Sequence, residues 1–316
     1  MMKKMISVLM IIAMTLCLLA GCGKTGNGAQ RVAIIQQLDH SSLDEIRTAI
    51  EAKLTDAGVE FDVFNGQNDS TILAQIGAEV ASEGYDAIIP IATLAAQYAY
   101  TASEGSDTPI IYAAISDPVS AGLTGIPNVT GTSDALNTAF ILDMMFAVNP
   151  DIQTVGLLYS NSEVNSATPI AEAKEYLDAK GIAYLEKTGN STDEIVTAAN
   201  SLVGRVEAVF TPTDNVVMAA EAAVAEILNG AGIPHYTGAD SFVTTGAFAT
   251  CGVNYTELGS YTADMALGIL GGGNIPEHHV MDGGIITVNT DTAAALNLDY
   301  SVFSTMANTV TEVTTG

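Results

Sequence analysis

The residues of this chain that could do chemistry gather in short polar turns directly after apolar runs. Ala92-Thr93 follows Ile88–Ile91, Ser116-Asp117-Pro118 follows Ile110–Ile115, and Ser160-Asn161-Ser162-Glu163 follows Leu157–Tyr159. Thr211–Asn215 follows Val209-Phe210, and Ala239-Asp240-Ser241 follows the run opening at Ile233. Each turn brings hydroxyls or a carboxylate to a place where a helix should start and free N–H groups point outward. That is chemistry for a zwitterion. The N–H groups and hydroxyls suit a carboxylate, and Asp214 and Asp240 are placed to accept an ammonium. Ser, Thr, Asp and Asn are equally the preferred helix caps, so a single turn reads as well as a cap, and Asp214 could cap a helix over Val216–Leu228. After residue 30 the arginines are Arg31, Arg47 and Arg205, none at such a turn. A carboxylate here is therefore expected to meet amides and hydroxyls rather than a guanidinium fork.

The elements that must position these turns alternate along the chain. Apolar runs occur at Val32–Ile35, Val59–Phe64, Ala87–Ile91 and Pro109–Ala113, then at Val155–Tyr159, Ile182–Leu185, Ala208–Phe210, Ile233–Tyr236 and Ala247–Val253. Between them run segments of helical period: Leu43, Ile46, Ile50 and Leu54 share one face, opened by Ser42 and Glu45 as a capping box, and Ser191 with Glu194 repeats that signal. Buried strands alternating with helices predict an α/β protein with parallel sheets covered on both faces. The two halves repeat one layout, followed by a helix over Leu258–Leu270 and a strand over Ile285–Val288. The expected organisation is two Rossmann-like lobes, 31–132 plus 255–283 and 133–254 plus 284–316. Crossings near Gly131, Asn254 and Gly284 make a three-strand hinge. Ligands of open α/β sheets sit beyond strand carboxyl ends, which puts a cleft between the lobes.

The start of the chain carries its own message. Lys3 and Lys4 precede an apolar run from Met5 to Leu19, about 15 residues and short for a membrane span, and then Leu19-Ala20-Gly21-Cys22. This order reads as a lipoprotein signal peptide, 1–21, cut before a lipidated Cys22 that begins a polar tether, 22–30. A plain transmembrane anchor does not account for a Cys directly after Ala-Gly. Loss of Lys3 and Lys4 takes the net charge from −26 to −28, a surface that repels nucleic acid. Cys251 is then the remaining thiol, set in an apolar strand and expected to pack in the core. His40, His235 and the pair His278-His279 lack the spacing of a metal site, so neither metal nor cofactor is expected.

Read in order, IATLAAQ (Ile91–Gln97), AAISDPVSAGL (Ala113–Leu123), NVTGTSD (Asn128–Asp134), LLYSNSEVNS (Leu157–Ser166), PTDN (Pro212–Asn215) and YTELG (Tyr255–Gly259) resemble the ABC transporter substrate-binding family that includes tryptophan- and tyrosine-type binding lipoproteins. The resemblance covers nearly the whole chain after the tether. It implies a type I periplasmic-binding-protein fold and an amino-acid ligand, often aromatic. As cleft residues it implies Thr93, Ser116, Ser162, Glu163, Asn165, Asp214, Asn215 and Asp240, with the turn Leu38–Glu45 at the rim. Leu94 departs from the family pattern, which has Pro after the Ala-Thr pair. Of the aromatics near the cleft, Tyr98, Tyr112, Tyr159, Phe210, Tyr236, Phe242 and Tyr255, most are expected to be core and one or two to touch ligand.

The expected role is that of an extracytoplasmic solute-binding lipoprotein, not an enzyme. It would act as a monomer that delivers its ligand to an ABC permease and its ATPase. A dehydrogenase on the same sheet is excluded because Gln36-Gln37-Leu38-Asp39-His40 offers no glycine cluster after the first strand, and Gly271–Gly273 follows a helix. A ligand-sensing module of the same fold remains an alternative, as does a nucleoside or sugar ligand, although a chain without Trp and with few Arg is a poor sugar site. Cys22→Ala is expected to release the protein from the membrane fraction with ligand binding intact, since residues 23–30 separate anchor from fold. Processed Cys22→Ala protein that stays with membranes would refute the lipobox.

Overall fold

The computed structural model describes residues 29–316, so the signal peptide 1–21 and Cys22 lie outside the described residues. The chain runs β1 (Arg31–Gln36), α1 (Ser41–Asp56), β2 (Glu60–Asn65), α2 (Ser70–Glu83), β3 (Ala87–Ile91), α3 (Thr93–Ala102), β4 (Ile110–Tyr112) and β5 (Val129–Ser133). It continues through α4 (Thr138–Val148), β6 (Thr154–Tyr159), α5 (Val164–Lys180), β7 (Ala183–Thr188), α6 (Thr192–Asn200), β8 (Ala208–Thr211), α7 (Asn215–Gly230), β9 (His235–Thr237), α8 (Asp240–Thr245) and β10 (Ala249–Gly252). It ends with α9 (Tyr255–Leu270), β11 (His279–Val280), β12 (Ile285–Asn289), α10 (Thr290–Leu296), α11 (Phe303–Met306) and β13 (Thr309–Val313).

Two sheets result. The first has the order β2-β1-β3-β4-β5-β11 and is parallel throughout. The second has the order β7-β6-β8-β9-β10-β12-β13, parallel except that β12 runs antiparallel to β10. The first five strands of each sheet follow the same doubly wound path, which makes the two lobes copies of one design. The chain passes between the sheets after Ser133, after Gly252 and after Val280.

Interior strands are buried end to end, as β3 and β8 are, because helices cover both faces. The edge strands β2 and β7 keep charged residues such as Glu60 and Glu186. One apolar layer joins Leu73, Ile76 and Val80 of α2 to Ala95 and Ala99 of α3. A second joins Ile141, Met145, Ile170 and Leu177 under α4 and α5. A third is continuous from Ile46, Ile50 and Leu258 in the first lobe to Val217, Val224 and Leu228 in the second. Each fully buried Leu, Ile or Val contributes about 1.5–3 kcal/mol.

Some elements depart from the sequence expectation. β5, VTGTS, is fully buried although it carries no apolar run; Thr132 Oγ1 lies 2.7 Å from Thr262 Oγ1 of α9 and Ser133 Oγ accepts from the Ala135 N–H, while Thr130 Oγ1 has no partner among the described residues. Gly131 is required there, since with φ +155° a Cβ would meet Tyr112 O at 2.0 Å. The capping box at Ser42 and Glu45 is not made. α1 starts at His40 without a side-chain cap, Ser42 bonds across the cleft, and Glu45 instead accepts from the Thr256 N–H at 3.0 Å in the first turn of α9. At α6, Ser191 does accept from the Glu194 N–H, while Glu194 reaches the N–H of Asn190.

α9 returns to the first lobe and lies along α1 so closely that a Cβ on Gly259 would stand 2.5 Å from Ile46 O. Gly259→Ala is therefore expected to cost roughly 1–3 kcal/mol, because the obstructing atom is backbone. On the same helix Gly268 meets nothing within 4 Å, and Gly268→Ala should be neutral or stabilising by up to roughly 1 kcal/mol. Denaturant midpoints of the two variants check the contrast, and equal effects would remove the close contact as the reason for Gly259.

Candidate functional site

The doubly wound order reverses between β1 and β3 and again between β6 and β8, and the turns after these four strands face one another across the lobes. From the first lobe His40, Ser42, Thr93, Ser116, Asp134 and Tyr255 line a cavity; from the second come Asn165, Thr213, Asp214, Asn215, Met218 and Phe242. The rim turn is braced from below. Gln36 donates to Leu38 O at 2.8 Å and to Asp44 Oδ1 at 2.8 Å, and accepts from Arg47 Nε at 2.7 Å. Two alanines of this wall hold backbone conformations that side chains rarely adopt: Ala92 (φ 75°, ψ 162°) and Ala114 (φ 56°). Such conformations cost of order 1–3 kcal/mol each and persist only where the surroundings enforce them. Here the Ala92 N–H is held by Ala113 O at 3.0 Å.

Several helix starts at the cleft lack a side-chain cap, although Asp214 caps α7 and Asn254 caps α9 there. α2, α4, α6, α9 and α10 are capped by Asp69, Asn137, Ser191, Asn254 and Asn289. α1, α3, α5 and α8 begin at His40, Ala92, Glu163 and Ala239, none of which caps its helix, and His40, Ala92 and Ala239 line the cavity. In α3 the Leu94 N–H is taken by Gln37 Oε1, and the remaining first-turn N–H groups at these starts make no side-chain hydrogen bond among the described residues, the arrangement that receives an anion.

The lobes are closed on each other. Gln37 Nε2 donates to Glu163 Oε1 at 2.9 Å, His40 Nε2 lies 3.0 Å from Asn215 Oδ1, and Ser42 Oγ lies 2.5 Å from Ser241 Oγ. Ser116 Oγ is 3.0 Å from Thr213 Oγ1, and Thr168 Oγ1 donates to Asp117 Oδ2 at 2.7 Å. The free space left is about 20 Å³, room for roughly one water, so a solute enters only when the lobes part. Leu94 has a part in this closure. Its N–H donates to Gln37 Oε1 at 3.1 Å, which turns the amide toward Glu163; a Pro at 94 would have no hydrogen to give.

Buried carboxylates dominate the electrostatics. Asp214 Oδ1 accepts from the N–H groups of Val216 and Val217, and Oδ2 from Ser160 N at 2.7 Å and Ser166 Oγ at 2.6 Å. Burial raises its pKa while these four donors oppose the rise. Glu163 has one donor per oxygen, Gln37 and Asn215, and burial followed by the charge of Asp214 pushes it up to about 8. Of the pair, Glu163 has fewer donors to hold its charge, so burial and the neighbouring carboxylate weigh more heavily against its ionised form. Asp134 accepts from Ser116 Oγ at 2.9 Å and Tyr255 OH at 3.2 Å, and burial raises it as well. Asp240 is pushed up to about 6, by burial and then by Glu45. His40 is lowered by burial. Asn165 Nδ2 donates to Thr213 O at 2.6 Å, while its Oδ1 and His40 Nδ1 are buried without partners.

Of the residues expected from the sequence, Thr93, Ser116, Asn165, Asp214 and Asn215 come together on the cavity wall. Glu163 stands one layer behind, bonded to Asn215. Ser162 is exposed and bonded to Ser160 Oγ, and Asp240 is half-buried at the first turn of α8, outside the lining. Asp214, expected to accept an ammonium, already takes two donors on each oxygen, from the start of α7 and from Ser160 and Ser166. Phe242 and Tyr255 are the aromatics that line the cavity, whereas Tyr112, Phe210 and Tyr236 are core. Sequence reasoning passed over Gln37 and Asp134. Asp134 ends a strand with no apolar run, and the signal that could have found it was its place in the NVTGTSD segment.

Two similar α/β lobes with their polar groups turned into a closing cleft define a solute-binding protein. The family model for ABC transporter substrate binding proteins matches residues 31–308, and the chain belongs to that family. It is similar to the tyrosine-binding protein of Clostridioides difficile (strain R20291), at 30% identity over 322 residues that cover 94% of this chain and 93% of the relative. Among solved structures, an ABC domain from Streptococcus pneumonia in complex with L-Trp shares 28% identity at a TM-score of 0.84, covering 90% of this chain and 100% of the other. The ligand-free, open form of a substrate-binding protein with adhesive properties from Clostridium difficile shares 31% identity at a TM-score of 0.68, covering 91% and 100%. The better fit to the complex, despite lower identity, agrees with the closed cleft. The protein is therefore a substrate-binding protein of an ABC transporter.

Glu163 holds its proton more tightly folded than unfolded, where its ordinary value is 4.5. The stability this contributes is full below about pH 4.5 and lost as pH rises through about 8. Asp240 acts with the same sign at lower pH. The melting temperature of the ligand-free protein is expected to fall from about pH 5 to 8, and Glu163→Gln should flatten the upper part of that decline. Parallel profiles for the two proteins would mean that Glu163 stays ionised.

Proposed function

We propose that the protein is an extracytoplasmic lipoprotein, anchored through Cys22, that captures an L-α-amino acid in the cleft and presents it in the closed form to an ABC importer. It works as a monomer with the permease and its ATPase. The observation that carries the reading is the pairing, in one cavity, of uncapped helix starts with a buried carboxylate that has no lysine or arginine partner among the described residues. The N–H groups opening α3, with the hydroxyls of Thr93 and Ser116, receive the ligand carboxylate. Asp134 receives the ammonium, aided by the unpartnered Oδ1 of Asn165. Phe242, Met218, Leu43 and Tyr255 provide an apolar and aromatic surround for the side chain, which favours an aromatic amino acid. The tyrosine-binding relative and the L-Trp complex support that choice. Asn215, Glu163 and Asp214 hold the second lobe's wall in register, and Ser162 and Asp240 contribute from outside the lining.

Calorimetric titration with tyrosine, tryptophan, phenylalanine and leucine tests the ligand class, and two variants separate the acids. Asp134 is held by two hydroxyls, which can reverse as donors or acceptors, so Asp134→Asn should fold normally. It should lose about ten- to a hundredfold in affinity, the worth of a charge-assisted bond of roughly 1.5–3 kcal/mol. Asp214 is held largely by backbone N–H groups that cannot reverse, so Asp214→Asn should lower the melting temperature by leaving a buried donor unpaired. Affinity of Asp134→Asn within about twofold of the parent removes Asp134 from the ammonium site.

A further inference from the structure

Behind the cleft lies a second and larger cavity of about 560 Å³, a size common for small-molecule sites. Every segment that joins the lobes contributes to its wall: Asp134–Asn137 from the first crossing, Gly252, Val253 and Tyr255 from the second, and Gly283–Ile285 from the third. Ser304–Thr309 closes the remaining side. Leu136, Phe140, Ile285 and Met306 supply apolar patches in a wall that is otherwise largely polar, with Asn137, Ser304 and Thr309 on it, and the one charged residue of its lining is Asp134. That carboxylate is only 6% exposed, and each oxygen takes a single hydroxyl donor, which leaves acceptor capacity on both. Among the described residues no lysine or arginine neutralises it. An anion is disfavoured by this charge; a cation of modest size matches the carboxylate, and Leu136, Phe140, Ile285 and Met306 offer contacts to a small hydrocarbon body.

We propose that this hinge cavity is a second binding site, for a small organic amine with an apolar body. Asp134 and Tyr255 also line the cleft, so the two sites share one carboxylate. An ammonium bound behind the hinge meets the charge of an ammonium bound in the cleft, and each ligand weakens the other by the same factor. This coupling rests on the amino-acid reading of the cleft; the hinge site does not.

Phenethylamine is the probe and phenylacetate, similar in size with the opposite charge, its control. Ser304 is exposed on the short α11, away from the cleft, so Ser304→Trp fills the mouth of the hinge cavity without touching the cleft lining. Titration of the parent protein with phenethylamine should give one site with Kd of about 1 mM or tighter. Ser304→Trp should abolish it, Asp134→Asn should weaken it by about tenfold or more, and phenylacetate should not bind. Phenethylamine should also lower the apparent affinity for tyrosine in the parent but not in Ser304→Trp. Undiminished amine binding to Ser304→Trp places the amine in the cleft and overturns the proposal, as does absence of binding to the parent or equal binding of phenylacetate. Tyrosine that fails to bind while the amine pattern holds would overturn the cleft reading alone.

Discussion

The structure depends on burying carboxylates that no basic side chain meets among the described residues. Asp134, Glu163 and Asp214 are each taken out of water with hydroxyls, amides and backbone N–H groups as their partners. A neutral donor offsets only part of the desolvation of a carboxylate, so the remaining field favours a proton or a cationic group brought from outside. Asp214 uses its donors to become part of the frame. Asp134 keeps lone pairs free at the cavity wall. The same acid type thus serves a structural end in one lobe and is available to ligand at the hinge.

The complementary half of the site is made by omission. Most helices of this chain are closed at their N-termini by Asp, Asn or Ser, which is the inexpensive way to satisfy orphan N–H groups. At the cleft, His40, Ala92, Glu163 and Ala239 stand in the capping position and do not cap. Ala92 adds a strained backbone that glycine would adopt freely, and its small side chain leaves the α3 start unobstructed. Stability is given up locally at N–H groups that the proposed ligand carboxylate would meet.

Closure follows from the same groups. The polar residues of the two walls bond to one another, as Ser42 does to Ser241 and Ser116 to Thr213. Each such bond is worth about 0.5–1.5 kcal/mol net, comparable to what water would offer, so they hold the lobes together without making opening prohibitive. Duplication places both switch points opposite each other, and the three crossings leave a space behind the cleft that shares Asp134 with it. The hinge and the binding wall are therefore not separable parts.

Strand and helix alternation and the two parallel-sheet halves were legible in the sequence, because parallel buried strands demand continuous apolar runs and turns demand Gly, Pro, Asn and Asp. Thr93, Ser116, Asp214 and Asn215 of the cavity wall were legible as polar residues after strand ends, and Asn165 through the family resemblance. β5 was hidden, since VTGTS carries no apolar run and its Thr132 pairs with Thr262, a residue of a distant helix. The pairing of Glu45 with Thr256 rather than with its own helix was hidden for the same reason. Which acid caps and which stays available was decided only in three dimensions: Asp214 and Asp134 are the same residue type after similar strands, and what separates them is how many donors the fold brings within reach. Sequence determines where a carboxylate falls along the chain, while its remaining lone pairs depend on neighbours drawn from both lobes.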